Sequence, residues 1–593
     1  MDNPVAILTA SGARIAAGVP HVGNQVPDIT ALLAFYEDNK YPLVTFKNGH
    51  NGNPFLNSME FKTAYERHAQ KLRSLRAEYV LVRDRWTQQG VPCLAIKSGG
   101  SFLPFPYTSD NLDILIHEEH EAVARAILVQ LGYIELKNLE ESKKFLFRKF
   151  EGGELVSDIH LHTRVGWGVG FMDEDSLWAQ ARVSPDDEAV TIPSPEDTIL
   201  ITLAHAFYEN KRFRLADIVK VRESCRNIID WSYLERTADQ AGWLDGLSFC
   251  LVTCAHLEAA IFGETLVPQK MVDKCQARIK HWSLINRYYR HIRSRSPVSL
   301  PFTVSFVFGK FLFYKKVLND RRHSLVARLY QAVRTLVRGI KLKGHIRPQP
   351  PFLVTFSGLD GAGKSQHAQT LASCLDRCGL KTRYVWSRCA TSGITRFFSL
   401  CGRVFFWRRS DFKVARPSSL ERRQRLQNPF LRFFWSYLVA ADMVLTNLFR
   451  VRLPLLGGKL VICDRYIFDA AAEMEASLTT VDRYNRSAIK LILACAPKPD
   501  IAYLLDVPES VSAQRKENVT GPEYLRRERN FYLELANLYH LRIKGTGREF
   551  SDNADEIVRE VAASFYDRFP TFLNGIFLSN PAQLNRKKEG GVS

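Results

Sequence analysis

Gly358-Leu359-Asp360-Gly361-Ala362-Gly363-Lys364-Ser365 is the stretch on which the reading of this chain turns. It has the spacing GxxxxGK[ST], in which glycines let successive backbone N–H groups turn inward around phosphate oxygens. The lysine then reaches the terminal phosphates, and the hydroxyl can ligate Mg²⁺. Context agrees. The apolar run 352–356 reads as a strand feeding the loop, and Ala368, Leu371, Ala372 and Leu375 put one apolar stripe on the helix leaving it. All eight residues are expected to cradle ATP, with Ser365 on the metal.

Outward from the loop, strands are expected at 382–386, 460–463 and 501–505, alternating with amphipathic helices. That order predicts a parallel sheet covered on both faces. The run Leu460-Val461-Ile462-Cys463-Asp464-Arg465 delivers an acid at the carboxyl end of a strand, the end that faces the ligand crevice in doubly wound sheets. Asp464 is the candidate for holding Mg²⁺ or its water, and Arg465 for meeting a phosphate with a planar pair of donors. A basic run, Arg526, Arg527 and Arg529, with Arg515 and Lys516 nearby, suits a lid that neutralises charge on a transferring phosphoryl group. Such a run is equally the pattern of a solvated helix face.

These residues carry a resemblance. FSGLDGAGKSQ, then Ala440 to Asp442 ahead of Gly457 and Gly458, then VICDRY, then PDIAYLLDVPES followed by Arg515, resemble the motifs of the thymidylate kinase family in that family's own order, over residues 352–572. The resemblance implies transfer of ATP's terminal phosphate to a nucleoside monophosphate. It carries Lys364, Asp464, Arg465 and the arginines 526, 527 and 529 over as catalytic, and Arg388 with Arg465 as contacts for the acceptor. Departures fall on the acceptor side. An Arg-Glu-Pro turn is replaced by Ser387-Arg388-Cys389-Ala390, and Asp469 stands where the family commonly has serine. Thymidylate specificity is therefore not expected, and the acceptor is read only as a small nucleoside monophosphate or sugar. The competing reading is a nucleotide-gated binding or regulatory protein near a membrane or partner complex. The lost acceptor carboxylate favours that reading, while the preserved Asp464-Arg465 pair favours the kinase.

Upstream, Gly99-Gly100-Ser101 precedes Asp110-Asn111-Leu112-Asp113, with Ser157-Asp158-Ile159-His160 later. A Gly-Ser turn followed by carboxylates two apart on one strand and a third on its neighbour resembles the uncharacterised nucleotidyltransferase family, over residues 61–223. Alternate strand residues share a face, so acids two apart can grip one pair of metals. Here Asn111 takes the place of the first acid, and Asp110 faces the other way unless a bulge intervenes. The expectation is a weak metal site on Asn111, Asp113 and Asp158, either a retained fold with little catalysis or an active transferase. His160 reads as a packed or hydrogen-bonded histidine.

The 593 residues are too many for one core, and 46% of them are hydrophobic. The reading is multidomain: an extension at 1–54, an α+β nucleotidyltransferase-like domain with a helical half at 55–265, a basic helical connector at 266–350, an α/β P-loop domain with a parallel sheet at 351–575, and a tail expected to be disordered at 576–593. The formal net charge is +19, and residues 281–350 alone hold fifteen Lys or Arg against one acid, Asp320. Bases alternate there with aromatics. That pattern suits a helical linker docked on both domains through its aromatics with a solvated basic face, or an attraction to an anionic membrane surface, more than nucleic acid. Eleven cysteines without paired CxxC spacing predict free thiols, hence a cytoplasmic protein, with membrane contact at most peripheral.

Overall fold

The computed structural model describes residues 29–48, 58–97, 105–106, 111–138, 141, 143–166, 169–293, 300–344, 349–387, 429–476, 483–515, 522–545 and 549–569. The chain divides into two compact units, residues 1–149 with 156–340, and residues 150–155 with 341–593. Gly99, Gly100, Ser101, Asp110, Arg388, Lys516 and the segment 576–593 lie outside the described residues.

The first unit is built on five strands: β1 (Cys93–Ala95), β2 (Leu112–Ile116), β3 (Ile134–Leu136), β4 (Lys144–Glu151) and β5 (Glu154–His162), in the order β1-β2-β5-β4-β3. β2 runs antiparallel to β1 and parallel to β5. One face packs on the helices Met59–Gln88 and Glu121–Gln130, where Tyr79, Val82 and Trp86 meet Leu112, Ile114 and Ile116. The strand period of two then turns Asp113 and Leu115 to the opposite face, and Leu115 is buried with the helical half of the unit.

That helical core is larger than the sequence pattern indicates. The helices Gln269–Lys280 and Phe306–Asn319 put Met271, Cys275, Phe308, Leu312 and Val317 into it, so much of the stretch read as a connector is core. The aromatics and aliphatics there recur at helical spacing and are buried, while the bases remain outside or pair internally. Lys316 and Asp320 form such a pair, both buried, at 2.9 Å. The helix Leu244–Phe262 is long and apolar enough by composition to cross a membrane, yet it is mostly buried here, with Cys250 and Cys254 as free thiols. Two short antiparallel pairs, β6 (Arg182–Ser184) with β7 (Asp187–Ile192) and β8 (Arg212–Phe213) with β9 (Phe302–Thr303), complete the unit.

The second unit has five parallel strands, β10 (Phe352–Ser357), β11 (Thr382–Trp386), β12 (Leu460–Asp464), β13 (Ile501–Asp506) and β14 (Arg542–Gly545), ordered β11-β12-β10-β13-β14. Every residue of β10 and β12 is buried, as an interior parallel strand requires. The chain leaves β10 toward one side and returns to the other, so the crevice between β12 and β13, over the end of β10, is the topological switch point. Gly358 begins the turn there at φ +142°, and a Cβ on it would lie 2.4 Å from the Leu505 carbonyl oxygen. Only glycine fits. Gly358→Ala should lower the stability of this unit by about 2 kcal/mol or more, read as a downward shift of its calorimetric transition while the transition of the first unit stays in place.

Candidate functional site

In the second unit the register sets Phe356 opposite both Asp464 and Tyr503. The loop and the acid of β12 therefore leave the sheet side by side. Ser365, second residue of the helix Lys364–Arg377, donates its hydroxyl to Asp464 Oδ2 at 2.5 Å, and Tyr384 donates to the same oxygen at 2.7 Å. Asp464 Oδ1 is buried and has no hydrogen-bond partner among the described residues. A buried carboxylate oxygen so left needs a cation or a water. These two oxygen ligands at the loop fit Mg²⁺, which takes one or two protein oxygens and otherwise water and phosphate.

Lys364 is buried and bends back to donate to the carbonyls of Gly358 at 2.6 Å and Leu359 at 2.8 Å. Burial holds its pKa below the ordinary lysine value, against the pull of Asp469. Arg465 sits at φ +72°, a left-handed position that swings its guanidinium onto Asp360 of the loop. Arg515 donates to the Gly361 carbonyl at 3.1 Å. Of the three arginines expected in a lid, Arg529 is instead fixed on both oxygens of Asp506 at 2.7 and 2.9 Å. Arg527 makes an exposed pair with Glu523 at 2.5 Å, and Arg526 is exposed. The structure thus brings Lys364, Ser365, Asp464, Arg465 and Arg515 together, and leaves Arg526, Arg527 and Arg529 on the outer helix.

The sequence marked Asp469 only as a departure from the family's motif, and Glu528 escaped it altogether. Asp469 is buried and accepts from Ser357 Oγ at 2.7 Å, from its own turn at Tyr466 N at 2.9 Å, and from Tyr532 Oη at 3.0 Å. It joins β10, the turn after β12 and the helix Pro522–Tyr539. One helical turn before Tyr532 lies Glu528, and one turn after Asp469 lies Glu473. Burial, then the charge of Glu473 and of Asp360, push the Glu528 carboxyl up to about 8. An acid with a raised folded pKa is protonated in the fold but ionised in the unfolded chain. Its contribution therefore falls as pH rises from about 4.5 through 8. Glu528→Gln should remove that decline, leaving the variant measurably more stable than the parent at pH 8 and little changed at pH 4.5, by chemical denaturation at both values.

In the first unit, a cavity of about 220 Å³ opens on the face of Asp113. Asp113 pairs in register with His160. Its Oδ1 meets Lys97 Nζ at 3.0 Å and His162 Nε2 at 2.9 Å, and its Oδ2 accepts from Asn111 Nδ2 at 2.6 Å. Although burial opposes ionisation, Lys97, His160 and His162 hold the carboxyl well below its usual range. Burial also drives His162 down to about 3, so it is a neutral imidazole. Lys97 also reaches Glu209 at 3.4 Å, and Glu209 is bound by Lys144 at 3.1 Å and His205 at 3.0 Å. Glu209 and His205 come from a π turn, His205–Asn210, which follows the helix Pro195–Ala204.

Divalent metal was expected on Asn111, Asp113 and Asp158, and the arrangement differs. Asn111 shares the face of Asp113, as the period of two requires, but it acts as a donor to that acid. Asp158 is held by Arg148 at 2.8 Å, with His160 at 3.5 Å. Asp113, His160 and His162 do lie close enough to surround an ion. Both oxygens of Asp113 are nonetheless filled by protein donors, and an ammonium stands where a metal's charge would be. Asp113 so satisfied does not fit Mg²⁺, while Asp158 Oδ1 is buried without a hydrogen-bond partner among the described residues. Lysine 97 could not have been found from spacing, because β1 and β2 bring it to Asp113 only in three dimensions.

Residues 49–258 match the model of a family described as an uncharacterised nucleotidyltransferase. Thymidylate kinases match the chain over part of its length. One from Staphylothermus marinus, described as probable, is 25% identical over 224 residues, covering 35% of this chain and 92% of its own. One from Pelodictyon phaeoclathratiforme is 22% identical over 248 residues, 38% of this chain and 100% of its own. One from Xylella fastidiosa is 31% identical over 168 residues, 28% of this chain and 64% of its own.

The chain resembles two transferase families in series. Among solved structures, a thymidylate kinase from Ehrlichia chaffeensis is 18% identical, covering 36% of this chain and 99% of its own, with a TM-score of 0.24. The nucleotidyltransferase-like part holds the Asp113 cavity, and the thymidylate kinase-like motifs hold the loop at Gly358–Ser365. Replacing Lys97 removes the charge that satisfies Asp113. Lys97→Met should destabilise the first unit by about 3 kcal/mol or more, and Mn²⁺ should raise the melting temperature of that variant while leaving the melt of the parent's first unit unmoved.

Proposed function

We propose that the second unit is an ATP-dependent phosphotransferase of the nucleoside monophosphate kinase type. The observation that carries this reading is the meeting of Ser365 with Asp464 beside a glycine loop whose lysine is buried and turned inward. In the nucleotide complex, backbone N–H groups of 358–365 and the start of the following helix bind the phosphates. Lys364 exchanges the carbonyls of Gly358 and Leu359 for phosphate oxygens. Arg465 and Arg515, already at the loop, offset the charge that accumulates on the transferring group. Mg²⁺, held by Ser365 and through water by Asp464, would supply further neutralisation of the phosphates. Arg388 remains the proposed acceptor contact by the resemblance.

The acceptor is a small nucleoside monophosphate or sugar, and dTMP is expected to be a poor one. The Glu of the family's acceptor turn is absent from Ser387-Arg388-Cys389-Ala390, and the carboxyls that act on Lys364 are Asp469, Asp360 and Glu528, all from other elements than that turn. A second reading concerns the first unit, where Lys97, Lys144, Lys220 and Arg214 line the cavity with Asp113. Burial draws Lys220 down to about 7. This lining favours binding of a phosphate-bearing ligand over metal-assisted nucleotidyl transfer.

Labelled ATP with Mg²⁺ and a panel of nucleoside monophosphates and sugar phosphates tests the main reading. Transfer to one of them is expected, with Lys364→Ala and Asp464→Asn each lowering kcat by roughly a hundredfold or more. Hydrolysis without transfer to any acceptor, or full activity in Lys364→Ala, would remove it.

A further inference from the structure

The helix Leu325–Gly344 is amphipathic, but its apolar side faces outward. Val326, Leu329, Val333, Leu336, Val337 and Ile340 are between 43% and 77% exposed. At ~100° per residue these positions fall within an arc of about 100°, so they form one continuous stripe. The opposite side rests on the unit. Gln331, Ala332, Thr335 and Gly339 are half-buried there, Ala332 packs on the helical core, and Arg328 donates to the Leu318 carbonyl at 2.9 Å. A surface helix of a globular unit ordinarily turns its apolar stripe to the core. Here small and polar residues do the docking, and the greasy face is left to something else.

Charge selects what that is. The helix carries Arg328, Arg334, Arg338, Lys341 and Lys343 and no acid. A second copy of this helix would bring five cations against five. A nucleic acid would answer the charge but leave the stripe in water. An anionic bilayer answers both, with its headgroups meeting the bases and its acyl boundary taking the stripe. At 1.5 Å per residue the helix is ~30 Å long, but with cations along its length it suits lying in the interface and not crossing it.

We propose that Leu325–Gly344 is a membrane-docking helix that seats the protein on anionic lipid. Its apolar stripe enters the headgroup boundary while the small-residue face stays on the first unit. This inference is independent of the reaction assigned to the second unit. It extends the charge pattern of residues 281–350 to one helix and one face.

The test uses the full chain and vesicles of phosphatidylglycerol and phosphatidylcholine in equal parts, against vesicles of phosphatidylcholine alone. The parent should co-sediment with the anionic vesicles, be released by high salt, and bind the neutral ones at least tenfold less. Val333→Asp with Leu336→Asp, at two exposed positions, should reduce binding at least tenfold while circular dichroism and melting stay those of the parent. Arg334→Gln with Arg338→Gln should weaken binding and its salt dependence together. No binding to anionic vesicles at low salt would overturn the proposal, as would undiminished binding of the double aspartate variant. A dimer in solution that the aspartates dissociate, without vesicle binding, would overturn it by assigning the face to a second copy of the chain.

Discussion

The site of the second unit depends on the parallel pairing of β10 between β12 and β13. Parallel strands of one sheet end on the same edge, so the residues following all three must crowd into one crevice. Phe356 opposite Asp464 fixes how far each chain has travelled when it leaves, and that register lets Ser365 touch Asp464. A slip of one residue would turn Asp464 to the other face of the sheet. The close approach of Gly358 to Leu505 is the same constraint seen from β13.

The two units handle a buried aspartate in opposite ways. Asp464 keeps one oxygen without a protein partner, beside a hydroxyl and a phosphate loop, and so remains open to a cation from solution. Asp113 receives its cation from the chain as Lys97, and its other donors from Asn111 and His162. A carboxylate already neutralised in a buried place has little to gain from a divalent ion, which would first have to displace an ammonium and an amide. Asn111 as a neutral donor and Lys97 as a cation together satisfy both oxygens of Asp113.

The sequence made much of this visible. Strands β10, β12 and β13 stand out as apolar runs because interior parallel strands are buried on both faces, and the glycine loop announces its chemistry by spacing. β14 escaped because Arg542–Gly545 is a largely exposed, polar edge with no alternation to read. Asn111 and Asp113 share a face as the strand period demands. Contacts across elements could not be read, among them Lys97 on Asp113, Arg529 on Asp506 and Tyr532 on Asp469, since each joins residues whose spacing in the chain carries no signal. The basic segment was expected to dock through its aromatics, and Phe308 and Phe313 are in the core of the first unit, but how far that core extends was hidden. Its charge dominates its composition, while burial is decided by the spacing of Phe308, Leu312 and Val317.

Asp469 has a mechanical consequence. By gripping Tyr532 it ties the middle of the helix Pro522–Tyr539 to the turn after β12, and a tied point on a rigid rod is a fulcrum. Arg526 lies six residues from it, ~9 Å along the axis, and Glu528 four. Any rotation about Tyr532 therefore sweeps Arg526 and Arg527 through a longer path than Glu528 or Arg529. Arg529, held on Asp506, is a second tie on the same side of the helix, so Arg526 and Arg527 are the arginines that neither tie restrains directly.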